Sequence, residues 1–269
     1  MRKSALFICL SLLVLVFSCK KEDDPDKQDN DINLFSISDD KALGADFAQQ
    51  IESPGSGYDV LDSSQFPEPY KHLYRIRSEI LNSGKVRYKE EFLWRTRIIR
   101  DDATLNAFCT PGGYIYVYTG LIKFLDTESQ LAGVMAHEIA HADRRHSTDQ
   151  LTKRYGLSVL FNLVFGEDPN LLAEIAANLV NLSFSREDES EADEYSVIYL
   201  YPTVYDARGA AGFFQKLEGQ GTVSQPEFLS THPAPDNRID NIINKWEELG
   251  GEPSGTFNER YNDFKESLP

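Results

Sequence analysis

Apolar residues recur at helical spacing in two early segments, Asp39 to Glu52 and Pro67 to Leu81, which predicts a pair of packed framing helices. Phe92 to Ile99 and Leu105 to Phe108 have strand character, and Gly113 to Tyr118 reads as a third strand, β-branched and aromatic, behind a Pro111-Gly112 turn. A small antiparallel sheet is the expected arrangement. Beyond Thr119 the spacing turns helical, with helices predicted near Thr127 to Arg145, Thr148 to Phe165, Leu171 to Leu182, Arg186 to Leu200, Ala207 to Leu217 and Asp236 to Glu248. The apolar stretches at 156–166 and 171–184 are too short and too interrupted to span a bilayer, so they read as core or cleft helices. No internal repeat is apparent. The pattern predicts an α+β, mainly helical domain over residues 36–250, followed by a polar C-terminal extension at 251–269.

The first eighteen residues differ from the rest. A basic start (Arg2, Lys3) precedes an apolar run from Ala5 to Phe17, the form of a secretory signal. Val16-Phe17-Ser18-Cys19 then resembles the bacterial lipobox, in which the cysteine is lipidated and becomes the mature N-terminus, so residues 1–18 are expected as signal peptide. The alternative is an ordinary signal or a short membrane anchor. Residues 19–35 are expected as a flexible acidic tether, too poor in apolar side chains to offset the entropy of ordering them. Lys20 to Asp24 resembles the acidic export signal of surface lipoproteins in Bacteroidetes, and reads equally well as a solvated spacer. A lipid on Cys19 would tether the protein to the outer membrane of a cell envelope, on its periplasmic face or at the cell surface.

With 269 residues and 41% hydrophobic content the chain can bury one sizeable core. The formal net charge of -16, without a cluster of Lys and Arg, argues against nucleic acid as a partner. Of three cysteines, Cys9 belongs to the signal and Cys19 to the lipid, which leaves Cys109 without a partner. It is expected as a small buried hydrophobe rather than a catalytic thiol.

Candidate chemistry is concentrated in His137-Glu138-Ile139-Ala140-His141. Four-residue spacing on a helix puts both imidazoles on one face, a turn apart, the arrangement that grips one Zn²⁺. Glu138 beside them is placed to take the proton of a water whose pKa the metal lowers. A catalytic zinc keeps three protein ligands, and the third is sought in Ser185 to Asp193. Glu189 and Asp193, four apart, share a helix face while Glu191 lies nearly opposite, so Glu189 is the candidate ligand. Asp193 is the candidate hydrogen-bond partner for the outer nitrogen of a ligating histidine. His146 is expected to be structural, and nothing singles out His72.

At these residues the chain resembles the gluzincin zinc metallopeptidases that include the HtpX, Oma-type and CAAX prenyl proteases. The resemblance runs from about Asn106 to Ile242. It rests on Asn106-Ala107-Phe108, on Pro111 to Val117 with Gly120-Leu121, on the zinc motif, on Ser185-Arg186 with Glu189 and Ala192-Asp193, and on Thr231-His232-Pro233 with Arg238. Ser196 departs from it, standing where such sequences usually have glycine. The resemblance implies a zincin domain with its sheet beside the catalytic helix, one zinc per chain, and Glu189 as third ligand. It also implies an extended or unfolded peptide substrate pairing with an edge strand, expected at Gly113, Tyr114, Ile115 and Tyr116. The expected activity is endoproteolysis of misfolded or misassembled envelope proteins; the alternative is a zinc-bearing chaperone or scaffold, which would have no need of Glu138 as a base. His232 has three open readings: oxyanion hydrogen-bond donor, latch on the metal's open position, or packed loop residue. Arg238 is expected to hold a carboxylate near the site or bind the substrate oxygen.

Overall fold

The computed structural model describes residues 33, 35–165, 170, 171, 174, 175, 178, 183–219, 227–233, 237–252 and 254–269. The signal segment, Cys19, the acidic tether through residue 32, most of the helix expected at 171–182, and Pro235 lie outside the described residues, while Phe35, placed in the tether by sequence, is buried with Leu43 and Phe47.

Helix α1 (Ile37–Glu52) starts at a capping box, in which Ser36 and Asp39 each accept the other's backbone N–H, satisfying two otherwise orphaned donors. Helix α2 (Pro67–Leu81) begins with proline in its first turn, where no N–H is needed, and buries Tyr70, Leu73, Ile76 and Ile80 along one stripe. Strands β1 (Arg95–Ile99), β2 (Ala107–Thr110) and β3 (Tyr114–Tyr118) form one sheet in the order β1-β3-β2. The α+β class holds, but the sheet is mixed. β2 pairs antiparallel with β3, Ala107 opposite Val117, whereas β1 runs parallel to β3, Arg95 opposite Tyr114. Residue pattern carries the pleat but not strand direction, so the parallel pair was not legible.

This order corrects the expected edge strand. Tyr114, Ile115 and Tyr116 are paired on both sides, and Gly113 leads into the same central strand, so its backbone cannot accept a further strand. β1 and β2 are the two edges; the outer side of β1 is partly met by the segment at 59–61, with Leu61 N donating to Ile98 O at 2.9 Å and Arg100 N to Asp59 O at 2.8 Å, which leaves β2 as the freer edge. Tyr118 N donates to Asn106 O. By antiparallel alternation residues 106, 108 and 110 then bond to β3, and Leu105, Ala107 and Cys109 turn their backbone groups outward.

Helices α3 (Thr119–Phe124), α4 (Glu128–Asp143), α5 (His146–Phe165), α6 (Arg186–Leu200), α7 (Gly209–Gly219), α8 (Glu227–Thr231), α9 (Arg238–Glu248) and α10 (Asn258–Glu266) complete the described elements. α5 is bent at Gly156, whose φ of 69° breaks the helical path. α4 is buried along nearly its whole length, packed among α2, α6, α7 and the sheet. A Thr127–Gln130 capping box starts it, and Ala132, Ala136, Ala140 and Ala142 keep it slim. The α4–α7 crossing is closest at two glycines. A Cβ on Gly133 would lie 2.1 Å from Ala210 N, and one on Gly209 would lie 1.8 Å from Ser129 O.

The stretch at 251–269 is not a loose extension. Tyr261 and Phe264 of α10 are wholly buried, Tyr261 Oη donates to Ile122 O at 2.7 Å, and Arg260 clamps Glu128 at the start of α4. Its polar composition hid two core anchors spaced three residues apart on one helix face. Among the described residues no helix is long and apolar enough to cross a membrane.

Candidate metal centre

α4 supplies His137 and His141, and α6 supplies Glu189 from its first turn. That turn also holds Glu187 and Asp188, where acidic side chains suit the positive end of the helix. Just past α8, His232 is held by its N–H on Phe228 O, by the Phe228 ring stacked on it at 4.3 Å, and by Phe184 N donating to Thr231 O alongside. These four side chains present donor atoms that all lie within 4.8 Å of one another, and all four are buried. His141 Nε2 is 3.0 Å from His137 Nε2, His232 Nδ1 is 2.9 Å from Glu189 Oε1, and Glu189 oxygens are 3.4 Å and 3.3 Å from the two α4 imidazoles. A tetrahedral zinc with ligands at ~2.0–2.1 Å has donor atoms about 3.3 Å apart, near the 2.9 to 3.4 Å of these pairs.

The charge states also suit a cation. Burial pushes the Glu189 carboxyl up, but His232, His137 and His141 outweigh it and hold the group well below the usual range, hence ionised. Burial holds His141 well below its ordinary value, hence neutral and able to ligate. His137 goes the other way: burial lowers it, yet hydrogen bonds to Asp193 and Glu189 raise it. Of these two carboxylates, Asp193 faces His137 Nδ1, and Glu189 faces Nε2, the nitrogen turned toward the other donors.

Around the donors, Asp193 Oδ1 lies 2.9 Å from His137 Nδ1. Arg238, at the first position of α9, bridges Glu189 Oε2 at 2.9 Å and Asp193 Oδ1 at 2.8 Å, so it holds carboxylates. Glu138 is fully buried, and neither carboxylate oxygen has a hydrogen-bond partner among the described residues. His232 Nε2 is 3.5 Å away and the Cys109 thiol faces the same group. Burial, against the attraction of His232, pushes Glu138 up to about 7.

Several neighbours were not foreseen. The Phe184 ring stacks on His141 at 4.0 Å, although nothing in the local sequence marks it. His146 Nδ1 sits 2.9 Å from His141 Nδ1 and its Nε2 sits 2.8 Å from Glu191 Oε2. His146 follows His141 by five residues, which on one continuous helix would turn it away. The chain instead leaves α4 through Arg145 in a left-handed turn (φ 64°) that folds His146 back. Ser196 is buried and donates to Asp193 O at 2.7 Å, so its hydroxyl is satisfied within its own helix. His72 stacks on Phe264, remote from these groups in role.

Two imidazoles a turn apart on one buried helix, a glutamate from a second helix and a buried carboxylate beside them form the arrangement of a zinc-metallopeptidase centre. Residues 67–245 match peptidase family M48, and the chain belongs to that family, whose cofactor is zinc. It is 33% identical over 150 residues to the mitochondrial metalloendopeptidase OMA1 of Arabidopsis thaliana, covering 55% of this chain and 31% of that protein. It is 30% identical over 192 residues to the beta-barrel assembly-enhancing protease of Yersinia pestis, covering 66% and 38%. With the protein of that name from Escherichia coli K12 the figures are 29% over 160 residues, 54% and 33%. The chain spans about a third of the length of these relatives.

Proposed function

We propose that the protein is a zinc endopeptidase of the cell envelope that cleaves extended or misfolded polypeptides, with Glu138 as the general base. The observation that carries this reading is the four converging donors with the fully buried Glu138 carboxylate beside them. Zinc, when bound, acidifies water and polarises the scissile carbonyl. Glu138, raised to about 7, is suited to accept a proton near neutral pH and return it to the leaving amine. Asp193 orients His137, and Arg238 keeps Glu189 and Asp193 in place. An extended substrate would pair with the outward backbone of Ala107 and Cys109 on β2, an alignment that sets direction with little demand on sequence. His232 in the fourth donor position would close the metal to water until α8 moves.

Purified residues 20–269 should hold stoichiometric zinc and cleave casein in a chelator-sensitive manner. Glu138→Gln should keep the zinc and lose the cleavage. Metal-free protein with full activity would end this reading. The burial of the whole donor set favours a second one, a zinc-bearing chaperone or scaffold with little turnover. Absence of cleavage by zinc-loaded protein, with His232→Ala equally inert, would select it. Cys19 carries the lipid in this proposal, so globomycin or Cys19→Ala should release the protein from the membrane fraction, and unchanged retention would point to an uncleaved anchor.

A further inference from the structure

The two ligating histidines of α4 are backed differently. His137 has a carboxylate directly on its Nδ1, supplied by Asp193 and clamped by Arg238. His141 has a second imidazole there. Behind it stand Glu191, with Oε2 2.8 Å from His146 Nε2, and Arg144, whose Nε donates to Glu191 Oε1 at 2.8 Å. The Arg144 guanidinium also lies 4.5 Å over the Tyr195 ring, one helical turn beyond Glu191.

We propose that His146, Glu191 and Arg144 form a positioning relay that sets the tautomer and angle of the His141 ring for metal binding. The reading rests on the zinc site proposed above. Its logic is directional. A neutral His141 that offers Nε2 to a metal carries its proton on Nδ1, and that proton needs an acceptor. The group at 2.9 Å is His146 Nδ1, which accepts only if the His146 proton is on Nε2. Glu191 enforces that choice, because a carboxylate can only accept. Arg144 then fixes the carboxylate. Glu189, Glu191 and Asp193 thus divide the work on α6: the first faces the metal position, the third backs His137, and the second, on the far side of the helix, backs His141 through His146. The left-handed turn at Arg145 makes the relay possible, and it is tied down by Arg145 Nε donating to Asp40 of α1 at 2.6 Å.

The test measures zinc affinity by competition with a chromogenic chelator and, by nitrogen-15 NMR, the ring N–H of His141 in the zinc-loaded chain. His146→Phe keeps a ring of similar size but no acceptor. Glu191→Ala removes the carboxylate at a position whose side chain is 28% exposed, so the fold tolerates it even should His146→Phe not fold. Both should weaken zinc binding on the order of 10- to 100-fold and lose the slowly exchanging His141 Nδ1 proton. Glu191→Gln, whose amide oxygen still accepts from His146, should restore most of the affinity. Glu189→Ala serves as the reference. If it is zinc-free while His146→Phe and Glu191→Ala bind within twofold of wild type, the relay is overturned and the ligand set stands. If Glu191→Gln is as weak as Glu191→Ala, hydrogen-bond acceptance is not the cause and the relay is likewise overturned. Zinc retained by Glu189→Ala would bring down the ligand set itself, and the relay with it.

Discussion

At the scale of single residues the centre is a problem of keeping buried charge satisfied. Glu189 accepts from Arg238, and Asp193 accepts from Arg238 and lies against His137 Nδ1, so each carboxylate has a cationic or N–H partner despite burial. Glu138 is the exception: its nearest groups are His232 Nε2 at 3.5 Å and the Cys109 thiol, and burial pushes it up to about 7. His232 is the residue whose role changes the sign of an experiment. As a latch in the fourth donor position it slows turnover, so His232→Ala should cleave casein faster than wild type or digest itself. As an oxyanion donor its loss should cost on the order of a hundredfold in kcat. Activity within about twofold of wild type, with zinc affinity unaltered, would make it a packing residue stacked on Phe228.

At the scale of elements, the approach of α7 to α4 sets where the helix carrying His137 and His141 lies. At Gly209 an added methyl would meet backbone atoms, which cannot rotate aside as a side chain can. Gly209→Ala should therefore destabilise the protein by ~1–3 kcal/mol and lower its melting temperature by roughly 2–4 °C for each kcal/mol. Gly219→Ala, at the far end of the same helix and with nothing within 4 Å of the new Cβ, is the control and should melt like wild type. Equal melting of the two variants would show the α4–α7 crossing to be looser than described. The sheet contributes at the same scale. With β3 in the middle, β2 is the edge, packed on α4, that is proposed to receive a peptide, and just ahead of it Leu105 O accepts from Phe228 N at 3.2 Å.

For the whole molecule, Glu128 joins distant parts of the chain, accepting from Arg75 of α2 at 2.6 Å, from Arg260 of α10 at 3.0 Å and from Tyr205 at 2.6 Å. Burial alone would raise its carboxyl, but the bonds from Arg260, Tyr205 and Arg75 outweigh it and hold the group below its ordinary 4.5. A pKa lowered by folding means the unfolded chain binds the proton more readily. The stabilisation is therefore complete above pH 4.5, declines as the pH falls below it, and is gone once the pH passes the folded value. Melting temperatures of wild type and Glu128→Gln should differ at pH 7 and converge on acidification. A constant gap down to pH 3 would contradict the clamp.

The chain's own pattern determined a good deal: the α+β class, the helices carrying His137, His141 and Glu189, and the separation of Glu189 from Glu191 on opposite faces. These follow from periods of 2 and 3.6 residues, which are local properties that no distant contact is needed to create. Tertiary structure decided the rest, because it depended on which segments meet. The parallel partner that makes β3 central, the burial of Tyr261 and Phe264 beneath a polar C-terminal stretch, and Phe184 over His141 all join residues far apart in sequence. His146 shows the division within a few residues. Its position after the zinc motif was visible, but its ring reaches His141 only because Arg145 takes a left-handed turn and is held there by Asp40, 105 residues earlier in the chain.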